Sequence, residues 1–557
     1  MADYQRLGPA PVGERAREER VRTRDGVHLA TDVYLPFDAA GVPDGSPGDT
    51  VLIRLPYDKN GEYTFIPLVA EYLVAHGYRV VAQDVRGKFR SEGEALLFVN
   101  EVRDGADTLD WIVAQSWSNG RVAMWGDSYY GYTQWAAAAS GHPALRAIAP
   151  RVTGTGLGEP VRRAPGDRVR AVEMGITNMY PLTHFAGNDT FHWEPDWSRR
   201  DFAVQAEEFQ SWAGSRSISY DQWVPHPVTL PRFPNGSPFA GRSVPVLHTI
   251  GWWDNCAPLS WADVAEIRRR PGWDAHHYLR IESIDHENYR LHEAPGDRTP
   301  ERSEAQIRAL LPAMLDPALD FFAVFVRGEG SPADIPRVAW SLAGTDEERI
   351  APAWPPAGTQ RVTRYATAEG GLAAERPDGE TEHSWVHDPE DLVPSSAPDA
   401  FSYLLHLPDE APIGAREDVL VFTGPPQPAD ADLAGPVAAR VRVRSTGPVL
   451  DCFVRLLDIS PDGTALRIAR GQQQLHDAQE PGTLEIDLGH VGYRLRAGHR
   501  LRVHVSSSDY PEFLPQPGTG GDPWTEGIDT VPNTQTLTIG GAEALALDLP
   551  VLNGALA

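Results

Sequence analysis

The segment Arg121-Val-Ala-Met-Trp-Gly-Asp-Ser-Tyr-Tyr-Gly-Tyr-Thr-Gln-Trp-Ala-Ala-Ala-Ala-Ser140 constrains this chain more than any other stretch. The apolar run at 122–125 predicts a short buried strand, and residues 130 to about 140 predict a helix. Between them Ser128 sits at a tight turn flanked by Gly126 and Gly131. That is the sequence form of a nucleophile elbow, a strained bend that lifts a serine hydroxyl clear of a sheet. The glycines let strand and helix approach closely. The helix N-terminus favours negative charge developing beside the serine. The usual pattern places glycine two residues after the serine; here Tyr130 holds that place and the glycine is Gly131. The competing reading is an ordinary strand-turn-helix with a surface serine, and the rest of the chain decides between the two.

The flanking pattern is that of an α/β protein. Residues 21–36 carry an Asp-Gly turn between alternating segments and predict a hairpin. Residues 51–56 and 79–83 predict buried strands, and 65–76 and 101–115 predict helices. Strands alternating with helices imply a mostly parallel sheet covered on both faces. Residues 146–240 are rich in Trp, Phe, Met, Arg and His, with helical spacing at 167–179 and 200–212 and no clear strand. They are expected to form a helical insertion over the catalytic edge. The α/β pattern resumes with strands at 244–250 and 275–283 and helices at 258–268 and 304–327. From about 346 the chain turns to short β segments, clearest at 437–445, 451–459, 484–488, 499–507 and 535–539, which suggest a sandwich or jelly roll. The expected division is 1–145 and 241–345 for the core, 146–240 for a cap and 346–557 for a β domain. Residues 1–20 read as a polar lead-in.

Size and charge narrow the function. A chain of 557 residues exceeds what one core supports. A net charge of -27 argues against nucleic acid and anionic membrane as partners. Cys256 and Cys452 lie far apart and are expected to be free buried thiols in a reducing, cytoplasmic setting. Residues 1–24 lack the apolar core of a secretory signal, and no run of about 18 apolar residues is present. No His-Glu-x-x-His, clustered Cys/His or P-loop pattern occurs, so no metal or cofactor is expected. A homodimer is an open expectation.

A serine hydroxyl needs an adjacent base, itself oriented by an acid. In this fold the chain order is Ser, then Asp or Glu, then His, each at the C-terminal end of a strand. Ser128, Asp254 and His286 meet both requirements: Asp254 follows VPVLHTIGWWD and His286 follows YLRIESIDH. Singly, Asp254 reads as a turn or capping residue and His286 as a loop histidine; jointly they read as a triad. His276, His277 and His292 are rival bases, the first two at a strand's beginning and the last beyond the turn. For the oxyanion, one donor is expected from the backbone N–H of Tyr129 and a second from the hydroxyl of Tyr57, just after VLIRLP. An interface aromatic is the plainer reading of Tyr57.

Four stretches carry a resemblance: Arg54-Leu-Pro-Tyr-Asp-Lys59, Asp84-Val-Arg-Gly-Lys-Phe-Arg-Ser-Glu-Gly-Glu94, Gly126-Asp-Ser-Tyr-Tyr-Gly-Tyr-Thr-Gln-Trp135 and Gly251-Trp-Trp-Asp254. With Gly498-His-Arg-Leu-Arg-Val-His-Val-Ser-Ser-Ser-Asp-Tyr-Pro511, the chain resembles the cocaine esterase family. That family also holds α-amino-acid ester hydrolases, glutaryl acylases and X-Pro dipeptidyl peptidases. The resemblance implies an α/β-hydrolase core, a helical cap and a C-terminal jelly roll. It implies Ser128 as nucleophile, His286 as base, Asp254 as its orienter, and Tyr57 and Tyr129 as the oxyanion hole. The displaced Gly131 is then a family trait. The segment before the histidine departs from the family's Gly-Pro-Trp and reads Glu-Ser-Ile-Asp. The expected activity is serine hydrolysis of a small or medium acyl ester or amide. An amidase, an acylase or an X-Pro-type aminopeptidase is the alternative within the class. A catalytically inactive binding protein using its jelly roll is the alternative outside it.

Overall fold

Apolar segments separated by helices build the central layer of the molecule. The computed structural model describes residues 4–37, 43–159, 166–224, 228, 230–289, 302–396, 404–405, 409–542 and 545–557. In chain order the first strands are β1 (Gln5–Leu7), β2 (Arg17–Arg22), β3 (His28–Tyr34), β4 (Gly48–Leu55), β5 (Arg79–Asp84), β6 (Ser118–Asp127) and β7 (Leu145–Arg151). They continue as β8 (Val169–Arg170), β9 (Thr190–His192), β10 (Val246–Gly251), β11 (His277–Glu282), β12 (Val338–Ser341) and β13 (Glu348–Ala351). The helices used below are α1 (Ile66–Ala75), α2 (Glu101–Val113), α3 (Ser128–Ala139), α4 (Gly175–Phe185), α5 (Phe202–Ala213), α6 (Ile218–Trp223) and α7 (Ala257–Arg268).

The 10-stranded sheet runs β13-β12-β11-β10-β7-β6-β4-β5-β3-β2. Every pairing from β5 through β4, β6, β7, β10 and β11 to β12 is parallel. The flanking pairs β3–β5, β2–β3 and β12–β13 are antiparallel. Strand order reverses at β4, which pairs with β5 on one side and β6 on the other. In open α/β sheets such a reversal opens a crevice at the C-terminal strand ends, where ligands bind. Tyr57 follows the end of β4, and Ser128 follows the end of β6. Both faces are covered, and side chains alternate along each strand. Val51, Ile53 and Leu55 share one cluster with α1 and the long helix Glu304–Phe322, whereas Leu52 joins α2 and α3 on the other face. The segment Glu304–Arg327 is apolar and long enough to cross a bilayer. Its Leu311, Met314, Leu315, Phe321 and Phe322 are instead buried against the sheet as a core helix.

The structure revises several sequence expectations. The polar lead-in contains β1, which pairs with β9, and β2, an edge of the main sheet. Residues 146–240 are not strand-free: β7 lies within the central sheet, and β8 pairs with the strand Ala465–His476. The helix expected at 167–179 is replaced by β8 and a later helix, α4, which carries Pro181 inside it. Helix α3 starts at Ser128 itself rather than at residue 130. The expected helix at 200–212 appears as α5, and both cysteines are free and buried as expected.

After β13 the chain forms a β-rich domain of a 7-stranded sheet and four further strands, which β8 extends to a 5-stranded sheet. The long strands Ala431–Ser445 and Val449–Ile459 belong to different sheets, yet Leu433, Val441, Leu450 and Val454 share one apolar cluster. That cluster also takes in Ile250, Trp252, Val338 and Trp340 of the central sheet region. The β domain and the catalytic sheet therefore share a core. Arg455, 1% exposed, is held between the buried carboxylates of Glu410 and Asp509.

Candidate active site

Ser128 occupies a strained bend. Its φ is 51°, in the left-handed region that non-glycine residues rarely adopt. Two glycines make the bend possible. Gly126 has φ 152°, and a Cβ there would overlap the Tyr130 ring; a Cβ on Gly131 would overlap Thr153. Gly131 is thus the residue that lets α3 approach the chain beyond β7. Tyr130 lies buried, with its ring against Tyr57 and Trp125. The Ser128 carbonyl accepts a 2.6 Å hydrogen bond from the Thr153 hydroxyl. As the second residue of α3, Tyr129 carries a first-turn N–H that has no carbonyl one turn earlier to bond. Its side-chain hydroxyl donates to Glu101 at 2.9 Å, and Glu101 in turn pairs with the fully buried Arg54 at 2.8 Å.

Tyr57 reaches the same point from β4. Its hydroxyl lies 2.8 Å from the Tyr180 hydroxyl of α4 and faces the Ser128 side chain. Burial pushes the phenol above its usual pKa, against the influence of the Tyr180 and Ser128 hydroxyls and the nearby charge of His286, so it remains a proton donor at neutral pH. The loop carrying it is fastened by Lys59, whose ammonium sits 3.1 Å from Asp84 and 3.5 Å from Asp32, all three without side-chain exposure. The Lys59 N–H also donates to Asp84 at 3.0 Å. Replacing this lysine by methionine strands two buried carboxylates. Lys59→Met is expected to lower stability by about 3–5 kcal/mol, read as a fall in the urea midpoint. An unchanged midpoint would show that the acids relax to solvent.

Asp254 and His286 arrive from the ends of β10 and β11 and meet. His286 Nδ1 lies 2.6 Å from Asp254 Oδ1, and Asp254 also accepts the Cys256 N–H at 3.0 Å. Burial opposes the imidazolium, but the Asp254 carboxylate outweighs it and holds His286 well above its ordinary pKa. The Asp254 loop is braced by Trp252, whose indole N–H donates to the Ser341 carbonyl at 2.9 Å and whose ring fills the space a Cβ on Gly492 would need. The His286 backbone N–H donates to the Leu404 carbonyl at 3.2 Å. Of the rival bases, His276 is exposed and His277 is buried against His248 at 3.3 Å; His292 lies outside the described residues.

Further residues of this site have no motif to announce them. Arg151, at the end of β7, donates to Asp127 at 3.0 Å and to Asn288 at 2.7 Å. It ties the residue before Ser128 to the residue two beyond His286. The Cys256 thiol also lies near the His286 ring, within 4.8 Å. His184 of α4 stacks on Tyr180 and meets Tyr57 edge-on. Lys88, fully buried, donates to the carbonyls of His184, Gly187 and Asp189 and so fixes this part of the cap to the core. Arginine at a strand end and tyrosine on an amphipathic helix are common in any core, which is why order along the chain did not single them out.

Sheet order, strained serine and cap together define an α/β-hydrolase. A family model described as X-Pro dipeptidyl-peptidase (S15 family) matches residues 25–287, and one described as X-Pro dipeptidyl-peptidase C-terminal non-catalytic domain matches residues 331–545. Cocaine esterase of Rhodococcus sp. (strain MB1 Bresler) is 30% identical over 551 residues, covering 90% of this chain and 92% of that protein. The chain belongs to the S15 family of serine hydrolases, with cocaine esterase as a relative along nearly its whole length. Solved structures repeat the fold. An aminopeptidase from a marine sediment Thaumarchaeota archaeon superposes with a TM-score of 0.78 at 22% identity, covering 99% of this chain and 97% of its own. An α-amino acid ester hydrolase gives 0.76 at 22% identity, with 97% and 98% covered.

Proposed function

We propose that this enzyme hydrolyses carboxylic esters of small or medium acyl compounds through an acyl-enzyme, with Ser128, His286 and Asp254 as its triad. The 2.6 Å contact of His286 Nδ1 with Asp254, on a loop that Arg151 ties through Asn288 to Asp127 beside Ser128, carries the reading. His286 takes the Ser128 proton as the hydroxyl oxygen adds to the substrate carbonyl. The Tyr57 hydroxyl and the Tyr129 N–H donate to the oxyanion. The imidazolium then protonates the departing alcohol, and water, activated by the same base, releases the acid and restores Ser128. The two-sheet C-terminal domain is assigned as a jelly roll. Free buried thiols support a reducing location such as the cytoplasm.

The test is a panel of chromogenic acyl esters and anilides combined with fluorophosphonate labelling. Turnover of esters with one label on Ser128 supports the proposal, whereas no turnover and no label would mark a binding protein. Tyr57→Phe is expected to lower kcat by roughly 10²-fold, the loss of one oxyanion donor, with little change in KM. An unchanged kcat would reassign Tyr57 to packing. A second reading, an aminopeptidase, is favoured by Glu287, whose carboxylate adjoins His286 and accepts from the Tyr63 hydroxyl at 2.8 Å. A carboxylate at that point suits a substrate ammonium. Anilides with a free α-amine turned over faster than the matching simple esters would select it.

A further inference from the structure

The corner behind the His286–Asp254 contact holds more donors than a hydrolase requires. Asp254, Cys256 and His286 each offer a ligand atom, and these atoms all lie within 4.8 Å of one another, every residue buried. Asp254 Oδ1 is already engaged, but Oδ2 is buried without a hydrogen-bond partner among the described residues, as is Oδ1 of the adjacent Asn255. The thiol is free and 2% exposed, and His286 keeps 9% of its surface open. Carboxylate, thiolate and imidazole together form a donor set that divalent zinc and its softer relatives accept.

We propose that this corner is an inhibitory site for a thiophilic divalent cation of the Zn²⁺ or Cd²⁺ class. Binding displaces two protons, one from the Cys256 thiol and one from the ring nitrogen of His286 that becomes the ligand. The cation's two positive charges are then matched by one thiolate and one carboxylate, leaving the buried site neutral. Zinc–ligand bonds of about 2.0–2.3 Å place tetrahedral donors roughly 3.3–3.8 Å apart, so the corner closes around the ion by about 1 Å at its widest. Water completes the fourth position. An imidazole held in this way no longer accepts the Ser128 proton, so the inhibitory consequence rests on the triad proposed above, whereas the binding itself does not.

The experiment titrates Cd²⁺ into the full chain and follows the ultraviolet thiolate-to-cadmium charge-transfer band and ester turnover in parallel, with Zn²⁺ as competitor. One equivalent of band-forming metal, turnover reduced at least about tenfold and recovery on adding a chelator are expected. Cys256→Ser, or Cys256→Ala if the serine variant folds poorly, is expected to lose the band and to require at least about tenfold more metal for half-inhibition, measured against its own metal-free rate. Cys452→Ser keeps the band, and Ser128→Ala also keeps it although inactive. No band in the wild-type chain, or a band that persists without Cys256, overturns the site. A Cys256-dependent band with full turnover leaves the metal site standing and removes His286 from the catalytic role.

Discussion

Ser128→Ala is expected to reduce ester turnover by about 10⁵-fold or more, with the fold and its urea midpoint essentially unchanged. The reason is local. Ser128 already sits at φ 51°, and alanine meets the same backbone strain, so the bend keeps its shape when the hydroxyl goes. Tyr57, the Tyr129 N–H and the His286–Asp254 contact all remain. What survives is the modest acceleration that positioning and oxyanion stabilisation give to attack by water. Single-turnover mass spectrometry should show a covalent acyl adduct on the wild-type elbow peptide and none on the variant. A variant within tenfold of wild type would place the nucleophile elsewhere.

Asp254→Asn is expected to cost about 10⁴-fold in kcat, because an amide in this place no longer fixes the imidazole tautomer or stabilises the imidazolium. The pH profile gives a second, independent signature. Asp254 holds the His286 pKa well above 6.5 despite burial, so activity of the free enzyme is expected to rise with pH as the imidazole becomes neutral. Removing the carboxylate removes the largest influence favouring the charged form while the burial stays, so the acid limb of kcat/KM is expected to move to lower pH. Stability changes in the matching direction. The folded state's raised pKa contributes stability below the unfolded value near 6.5, lost as pH climbs through the folded value. Asp254→Asn therefore lowers stability more in mild acid than in base. An acid limb that does not move would mean that another group titrates.

Strand ends were the legible part of this chain. β4, β6, β10 and β11 are short apolar runs with a chemically conspicuous residue just beyond each, and the structure places Tyr57, Ser128, Asp254 and His286 at those ends. Periodicity served less well in the cap. Helix α4 carries Pro181 in its interior, and its start is set by contacts with Leu514 and Phe513 from far along the chain, not by a local cap. The N-terminal strand β1 is short and polar, and its partner β9 lies far along the chain. Arg151 and Asn288 escaped for the same reason: each reads as an ordinary residue until β7 and β11 are neighbours of β10.

One consequence follows from the Leu404 carbonyl that receives the His286 N–H and from the tryptophan wedged at Gly492. The two halves of this polypeptide are obliged to be inherited together. A truncation near residue 345 would remove the carbonyl that receives the His286 N–H and the glycine against which Trp252 is wedged. Substitutions that shift Leu404 or Gly492 would accordingly be felt at His286 and at Trp252.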